Sequence, residues 1–471
     1  MPGTFRIIVF AIYCLGLPSI LLAEHPNIIF LLSDDQRPDT IAALGNPVIQ
    51  TPNLDRLVRE GSTFTRATCA NPLCVPSRAE ILSGQTGFRN GGHDKPIQPN
   101  LEHTTWPQAM QKAGYNTYWV GKWMIAGRPS TRGYQESLAL FSSGGKPPEP
   151  QFDYAGREVT GYRGWVFQTD DKQTFPEKGV GLTPDIESKF ANAAIEFIQR
   201  EHSKPYFLHV NFTAPHDPLL MPPGWEDAYT AVDILLSPNY LPQHPFDHGN
   251  FDGRDERLFR WPRTKLEVRT ELAAYYAVIS DVSRQVGRIR TALRQQQIEK
   301  NSIVVFTSDH GLAVGSHGLR GKQNMYDHSI KVPFIIAGPG IARGVRTGAF
   351  GYLRDMFPTT CELAGIAIPK TVQSHSLSPV LLGKQKTVHR LGYGYFRDAQ
   401  RMVRDENWKL IFYPKLIDQN IKSTLYTYVH RAGVWNRVNG DRLDAHRPGS
   451  LGDSASNLAT VRNQDLFKGR G

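Results

Sequence analysis

The sequence predicts an α/β protein built on one large buried sheet with helices against both faces, followed by a smaller antiparallel-sheet domain. Short, continuously apolar runs alternate with helical patterns over most of the chain. Runs of that kind mark strands covered on both sides, and helices must supply the cover. From about Thr387 the pattern becomes apolar/polar alternation, clearest from Arg401 to Tyr413, as in an antiparallel sheet with one wet face. The 471 residues, 40% hydrophobic and 21% charged, are enough for one large domain and a smaller one, and they exclude wholesale disorder.

The chain opens with Met1 to Arg6, runs apolar from Ile7 to Leu22, and reaches Ala23 before the polar Glu24-His25-Pro26. This is the pattern of a secretory leader over 1–23. Its apolar run is short for a membrane span, and no later segment is long enough to be one. Cys14 follows Ala11-Ile12-Tyr13, unlike a lipid-attachment box. The expectation is an exported protein, periplasmic or secreted, with a catalytic domain over 24–386 and a small C-terminal domain over 387–471 that is divergent or incomplete at its end.

Asn27 to Ser33, Thr117 to Val120, Tyr206 to Phe212, Ser302 to Thr307 and Pro333 to Ala337 read as the buried strands. Asn53 to Glu60 reads as a short helix with Asn53 as cap and Gly61 as stop, and Pro184 to Arg200 as another. Leu272, Tyr275, Ile279, Val282, Val286, Ile289 and Leu293 mark a longer helix whose apolar stripe is ordinary core packing. Two Gly/Pro/aromatic-rich stretches, 133–181 and 213–263, interrupt the alternation and are candidate substrate walls, with plain surface insertion as the alternative. After Val429 periodicity is lost.

The net charge of +10 favours a polyanionic partner. The basic residues are dispersed, with no arginine-rich tract, zinc-finger spacing or RNA-binding box, so nucleic acid is not expected. Four cysteines, Cys14 among them, are too few for a disulfide scaffold.

One cysteine stands apart. Cys74-Val75-Pro76-Ser77-Arg78, followed by Leu82-Ser83-Gly84, places Cys74 at a helix start with Pro76 in the first turn, where its missing N–H costs nothing. Free amides and the helix dipole suit a sulfate or phosphate there. A structural cysteine before a capped helix is the plainer alternative. Asp34-Asp35 follows the first strand and Asp309-His310 a later one. Strand ends remote in sequence can converge at the carboxyl edge of an α/β sheet, and three carboxylates make an oxygen-rich cage for a hard cation such as Ca²⁺ or Mg²⁺. Zinc fits less well. Arg78, Lys122, His216 and Lys322 could grip anionic oxygens or supply a proton, although a solvated surface is the ordinary place for such side chains.

Taken together, Cys-x-Pro-Ser-Arg at 74–78, Asp34-Asp35, Gly121-Lys122-Trp123, Ala214-Pro215-His216, Asp309-His310 and Gly321-Lys322 resemble the type I, formylglycine-dependent sulfatases. The likeness runs from Asn27 to about Pro379, through Thr51-Pro52-Asn53-Leu54-Asp55 and Asp355-Met356-Phe357-Pro358-Thr359. It implies a large mixed sheet flanked by helices, the alkaline phosphatase-like sandwich. It also implies maturation of Cys74 to formylglycine by a formylglycine-generating enzyme, and a metal, Ca²⁺ or else Mg²⁺, held by Asp34, Asp35, Asp309 and His310 with residue 74 completing the shell. Arg78 and Lys122 would then stabilise the nucleophile, while Lys322 and His216 hold the sulfate and one of them protonates the departing alcohol. The implied substrate is a sulfated carbohydrate or aryl sulfate.

Two departures stand out. His310 replaces the more common asparagine, and Met124 stands where the family usually has a histidine that helps expel sulfate from the covalent intermediate. Methionine cannot move a proton, which leaves His93 or His103 as candidates for that role. Alternatives from other classes are a phosphoester or phosphonate hydrolase of the same superfamily, and a catalytically impaired sulfoglycan-binding homologue.

Overall fold

The computed structural model describes residues 25–93, 103–146, 149–414, 425–430, 433–438 and 441–446. The expected leader at 1–23 lies outside them. The strands of the large sheet are β1 (Asn27–Ser33), β2 (Ser62–Thr68), β3 (Asn116–Lys122), β4 (Glu136–Ser143), β5 (Trp165–Phe167), β6 (Tyr206–Asn211), β7 (Ser302–Ser308), β8 (Phe334–Ala337) and β9 (Val345–Tyr352). They lie in the order β5-β4-β3-β6-β1-β7-β8-β2-β9. β4, β3, β6, β1 and β7 run parallel, whereas β5 and β8 are antiparallel to their neighbours, so the sheet is mixed.

The helices are α1 (Pro52–Glu60), α2 (Cys74–Ser83), α3 (Gly87–Asn90), α4 (Trp106–Lys112), α5 (Ile186–Gln199), α6 (Lys265–Gln295), α7 (Asp327–Ile330), α8 (Met356–Leu363) and α9 (Ser378–Leu381). Every residue of β1 is buried. Its side chains alternate between two cores: Ile29 and Leu31 join α1, α5 and α6 on one face, and Ile28, Phe30 and Leu32 join α2, α4 and α8 on the other. Among the described residues no helix is long and apolar enough to cross a membrane.

The second sheet is antiparallel. β10 (Gly392–Phe396), β11 (Gln400–Arg404) and β12 (Trp408–Tyr413) begin it, and its ladder continues through β13 (Leu425–His430), β14 (Gly433–Val438) and β15 (Asp441–His446). Phe396, Met402, Ile411 and Tyr413 belong to the α2/α4/α8 core, so this sheet packs into the main body.

Several readings are corrected. Helix α1 starts at Pro52, with Thr51 rather than Asn53 at the cap position, because proline is pre-set for the first helical turn. Asn53 instead lies against Gly287 of α6, where any Cβ would meet its amide at 2.4 Å. The stretch 133–181 contains β4 and β5 and widens the sheet. The stretch 213–263 is irregular apart from one short turn of 3₁₀ helix at Glu256–Leu258. Helix α6 begins at Lys265, where Thr264 and Glu267 form a capping box. Regular strands also persist beyond Val429, where periodicity predicted none.

Candidate active site

Four consecutive parallel strands, β3-β6-β1-β7, end at the same edge of the sheet. Lys122 closes β3, Asn211 closes β6, Asp34-Asp35 follows β1 and Asp309-His310 follows β7. Parallel strands make the edge common to all four, which is where ligands gather in α/β sheets. Gly121 permits the closeness: at φ 92° a side chain there would strike the carbonyl oxygen of Asn211 at 2.0 Å. Asp35 takes a left-handed conformation, φ 66°, which aspartate tolerates.

Helix α2 brings its first turn to this edge. Cys74 and Arg78, four residues apart, share one helix face. Cys74 Sγ lies 3.3 Å from His310 Nε2 and 3.5 Å from both Asp34 Oδ1 and Lys322 Nζ. Ser77 Oγ donates to the Asp309 carbonyl at 2.7 Å and ties α2 to β7. Arg78 Nε donates to Asp309 Oδ2 at 3.0 Å, its Nη2 is 3.4 Å from Asp34 Oδ1, and its Nη1 bonds Asn211 Oδ1.

Asp34, Asp35 and Asp309 are wholly buried, and each has a buried cation. Lys122 Nζ binds Asp34 Oδ2, and Lys322 Nζ donates to both oxygens of Asp35 at 2.7 Å. His310 Nδ1 is 3.2 Å from Asp35 Oδ1. His216, carried on the loop after β6, bonds the backbone carbonyl of Asp217 through Nδ1 at 2.6 Å, which puts the hydrogen on Nδ1 and turns Nε2 towards Asp35 at 4.0 Å.

Burial opposes ionisation of Asp34, but Lys122, His216, Arg78 and Lys322 outweigh it and hold its carboxyl well below the usual range. Burial wins at Asp35, whose carboxyl is raised to about 6 despite Lys322. Burial, and then the Asp34 carboxylate, push the Cys74 thiol well above its ordinary value. A buried, protonated thiol is a weak nucleophile. Burial and the Lys322 charge lower His216 to about 4.

The ligand atoms of Asp34, Asp35, Cys74 and His310 all lie within 4.8 Å of one another. Donors around one cation with bonds of about 2.3–2.6 Å are separated by at most about twice that length, so the set fits a divalent ion. Asp309 borders this group rather than joining it. Its Oδ1 accepts from the amides of Asp35 (3.1 Å) and His310 (2.9 Å), and its Oδ2 from Arg78. Asn211 Nδ2 is buried without a hydrogen-bond partner, a spare donor beside the cluster.

The structure thus brings together Cys74, Arg78, Lys122, His216, Lys322 and the predicted carboxylate and imidazole ligands. It does not bring His93 to them: that ring is exposed and stacks on Phe88. Met124 lines a groove with Trp123, Arg128, Ser143, Gln168 and Lys172. Sequence reasoning missed Tyr162, whose buried hydroxyl donates to Asp34 Oδ2, whose ring centroid is 4.9 Å from that of His216, and over whose face Lys122 Nζ sits 4.9 Å away. This tyrosine lies in the Gly/Pro/aromatic-rich stretch 133–181, where no local pattern set it apart. Tyr162 itself is left-handed, φ 59°, a strained conformation of the kind that clusters at functional sites. Asn211 was also missed, although its place at a strand's carboxyl end could have marked it.

Comparison with known proteins agrees with this geometry. The family described as "Sulfatase" matches residues 26–366, and one described as "N-sulphoglucosamine sulphohydrolase, C-terminal" matches 315–426. The chain is 30% identical over 386 residues to an arylsulfatase of Clostridium perfringens, covering 77% of this chain and 79% of that protein. It is 30% identical over 404 residues to the N-acetylgalactosamine-6-sulfatase of Mus musculus, covering 79% and 69%. A solved structure described as in complex with its substrate D-glucosamine-2-N,6-O-disulfate superposes with a TM-score of 0.65 at 23% identity, covering 86% of this chain and 91% of the other. The phosphonate monoester hydrolase of Agrobacterium radiobacter superposes at 0.64 with 20% identity, covering 86% and 89%. At those identities the two superpositions establish only the shared sandwich. With the family matched over residues 26–366, the chain belongs to the sulfatases and is a sulfuric ester hydrolase of alkaline phosphatase-like fold.

Proposed function

We propose that this protein is an exported enzyme that removes sulfate from a sulfated carbohydrate, using Cys74 matured to formylglycine and a divalent cation, Ca²⁺ or else Mg²⁺. The observation that carries the reading is the position of Cys74 Sγ, 3.3–3.5 Å from His310, Asp34 and Lys322 within a buried carboxylate cluster. Relatives named for N-acetylgalactosamine-6-sulfate and ulvan support the carbohydrate class. The leader pattern at 1–23 supports export.

Asp34, Asp35 and His310 would hold the cation together with residue 74, and Asp309 would brace them from beside. When bound, the cation supplies Lewis-acid polarisation of the nucleophile and charge for the developing anion. The hydrated aldehyde supplies two hydroxyls on one carbon, one to attack sulfur and one to expel sulfate, which a serine could not do. Arg78 fixes Asp34 and Asp309 relative to the helix that carries residue 74, and Lys122 balances the charge of Asp34. Lys322, already 3.5 Å from Cys74 Sγ, holds an anionic sulfate oxygen. His216 presents Nε2 to the same space. Lys322, held protonated beside Asp35, gives a proton to the departing alcohol, because His216 carries its hydrogen on Nδ1.

The test is turnover by protein coexpressed with a formylglycine-generating enzyme, against matched aryl sulfate, aryl phosphate and phosphonate esters and a panel of sulfated saccharides. Sulfate release from saccharides is expected to dominate. A preference for phosphorus esters, or binding of sulfated sugar without release of sulfate, overturns the reading.

A further inference from the structure

Away from the carboxylate cluster, α3 carries Phe88 with 57% of its surface exposed. A single exposed aromatic needs no explanation, but this one is braced. The ring of His93 stacks on it at 5.8 Å with 13° between planes. The buried ring of Tyr395 lies 4.3 Å away on β10, and the guanidinium carbon of Arg401 on β11 is 5.6 Å from the Phe88 centroid. Tyr395 is itself fixed, donating Oη to Glu80 Oε1 at 2.8 Å and its amide to the Ala70 carbonyl at 2.8 Å. Arg401 Nη1 donates to the Gln400 carbonyl at 2.7 Å. The result is a braced aromatic cluster in which exposed Phe88 is held before any ligand arrives, with His93 nearly parallel to it, Tyr395 tilted by 42° and Arg401 beside it, and with Arg89 next to Phe88 and Arg397 and Asp398 in the β10–β11 turn.

Two hydrogen-bonded connections through buried residues tie this cluster to the segments that carry the reaction site. Asn71, three residues before Cys74, donates Nδ2 to the His93 carbonyl at 2.8 Å. Gln323, next to Lys322, donates its amide to the Pro72 carbonyl at 3.3 Å and accepts at its own carbonyl from Gln400, the neighbour of Arg401, at 3.2 Å. The cluster is therefore held in fixed relation to the segments that carry Cys74 and Lys322.

We propose that Phe88, His93 and Arg401 form a secondary subsite for a further unit of a sulfated polysaccharide, the sugar stacking on Phe88 and its sulfate or carboxylate meeting the arginines. Charge complementarity selects this occupant. Rigid aromatic area supplies contact at small entropic cost, and a planar guanidinium suits a planar or tetrahedral oxyanion. The proposal rests on the carbohydrate sulfatase reading and makes the substrate a chain rather than a monosaccharide.

The test uses a heparin hexasaccharide, maltohexaose as an uncharged control, and 4-nitrophenyl sulfate as a substrate too small to reach the aromatic cluster. In the Cys74→Ala background, where chemistry is absent, Phe88→Ala and Arg401→Ala should each weaken hexasaccharide binding about tenfold by calorimetry, and Phe88→Trp should restore it. In matured protein the same substitutions should leave kcat/KM for 4-nitrophenyl sulfate within twofold. Unchanged hexasaccharide affinity in both alanine variants, equal losses on both substrates, or equal affinity for maltohexaose overturns the subsite. Because the binding arm needs no turnover, it still decides the question if the proposed activity fails.

Discussion

Tyr162 donates its phenolic hydrogen to Asp34 Oδ2, the same oxygen that takes Lys122 Nζ, while Asp34 Oδ1 faces Cys74 Sγ and Arg78. Both oxygens of this carboxylate are therefore oriented by buried partners. Tyr162→Phe removes one of them without changing the ring that packs against His216. Partners that orient a metal-holding group are typically worth 10–100-fold in affinity or activity. We expect cation binding by titration calorimetry to weaken by about tenfold, with kcat/KM falling in parallel. Unchanged cation affinity would show that Lys122 and Arg78 suffice.

The Cys74 peptide of matured, active protein should carry an aldehyde that reacts with hydrazide probes and is visible as a mass change. Cys74→Ala should abolish turnover while preserving a cooperative melt. A fully active preparation whose Cys74 is an unmodified thiol would contradict the proposed nucleophile.

Chelation should remove activity, and Ca²⁺ or Mg²⁺ should restore it. Asp35→Ala strands the buried Lys322 ammonium without its carboxylate, and breaking such a pair costs about 3–5 kcal/mol. A lower melting temperature should thus accompany lost turnover. Asp309→Ala should lose turnover as well, through release of Arg78. Full activity in either variant would remove that residue from the site.

Glu187 gives a pH signature separate from the chemistry. Its Oε1 accepts from the amides of Thr213 (3.2 Å) and Ala214 (2.8 Å), at the base of the loop that carries His216, and burial pushes its carboxyl from 4.5 up to about 8. The folded chain holds this proton more tightly than the unfolded one. The associated stability is thus complete below about pH 4.5 and is lost as pH rises through 8. Denaturant titrations should show unfolding free energy falling across that window by up to about 5 kcal/mol, and Glu187→Gln should flatten this component. An identical slope in the variant would assign the dependence elsewhere.

Met124→His should change kcat by less than about threefold. Met124 lines a groove with Arg128, Gln168 and Lys172, whereas the imidazole beside Cys74 Sγ belongs to His310. A faster decay of a trapped sulfo-enzyme, of the 10²-fold size a positioned acid or base can give, would show that residue 124 reaches the intermediate.

Strands whose apolar content is continuous, β1, β3, β6, β7 and β8, were legible because full burial leaves a run of hydrophobic letters. β2 (STFTRAT) and β9 (VRTGAFGY) were not, since threonine, arginine and glycine dilute the signal and only their neighbours in the sheet decide their state. The site residues were legible where a motif fixes them to a strand end or a helix start, as with Asp34, Asp309 and Cys74. Tyr162 was not, because its contact with Asp34 spans 128 residues and depends on the path of a loop that no local pattern encodes.

Cys74 is only 4% exposed in the folded chain, enclosed in part by His310 and Lys322, which follow it by 236 and 248 positions. A modifying enzyme could not grasp a residue so enclosed, so on the proposed maturation the order of events matters. Residue 74 leaves the ribosome long before Asp309 does, and at about 5–20 residues per second the interval is roughly 12–47 s. Maturation is then a race against closure: a chain that completes its sheet first locks in the thiol, and only unfolding can reopen the choice. Expression at lower temperature or with slowed elongation should therefore alter the converted fraction without altering the fold.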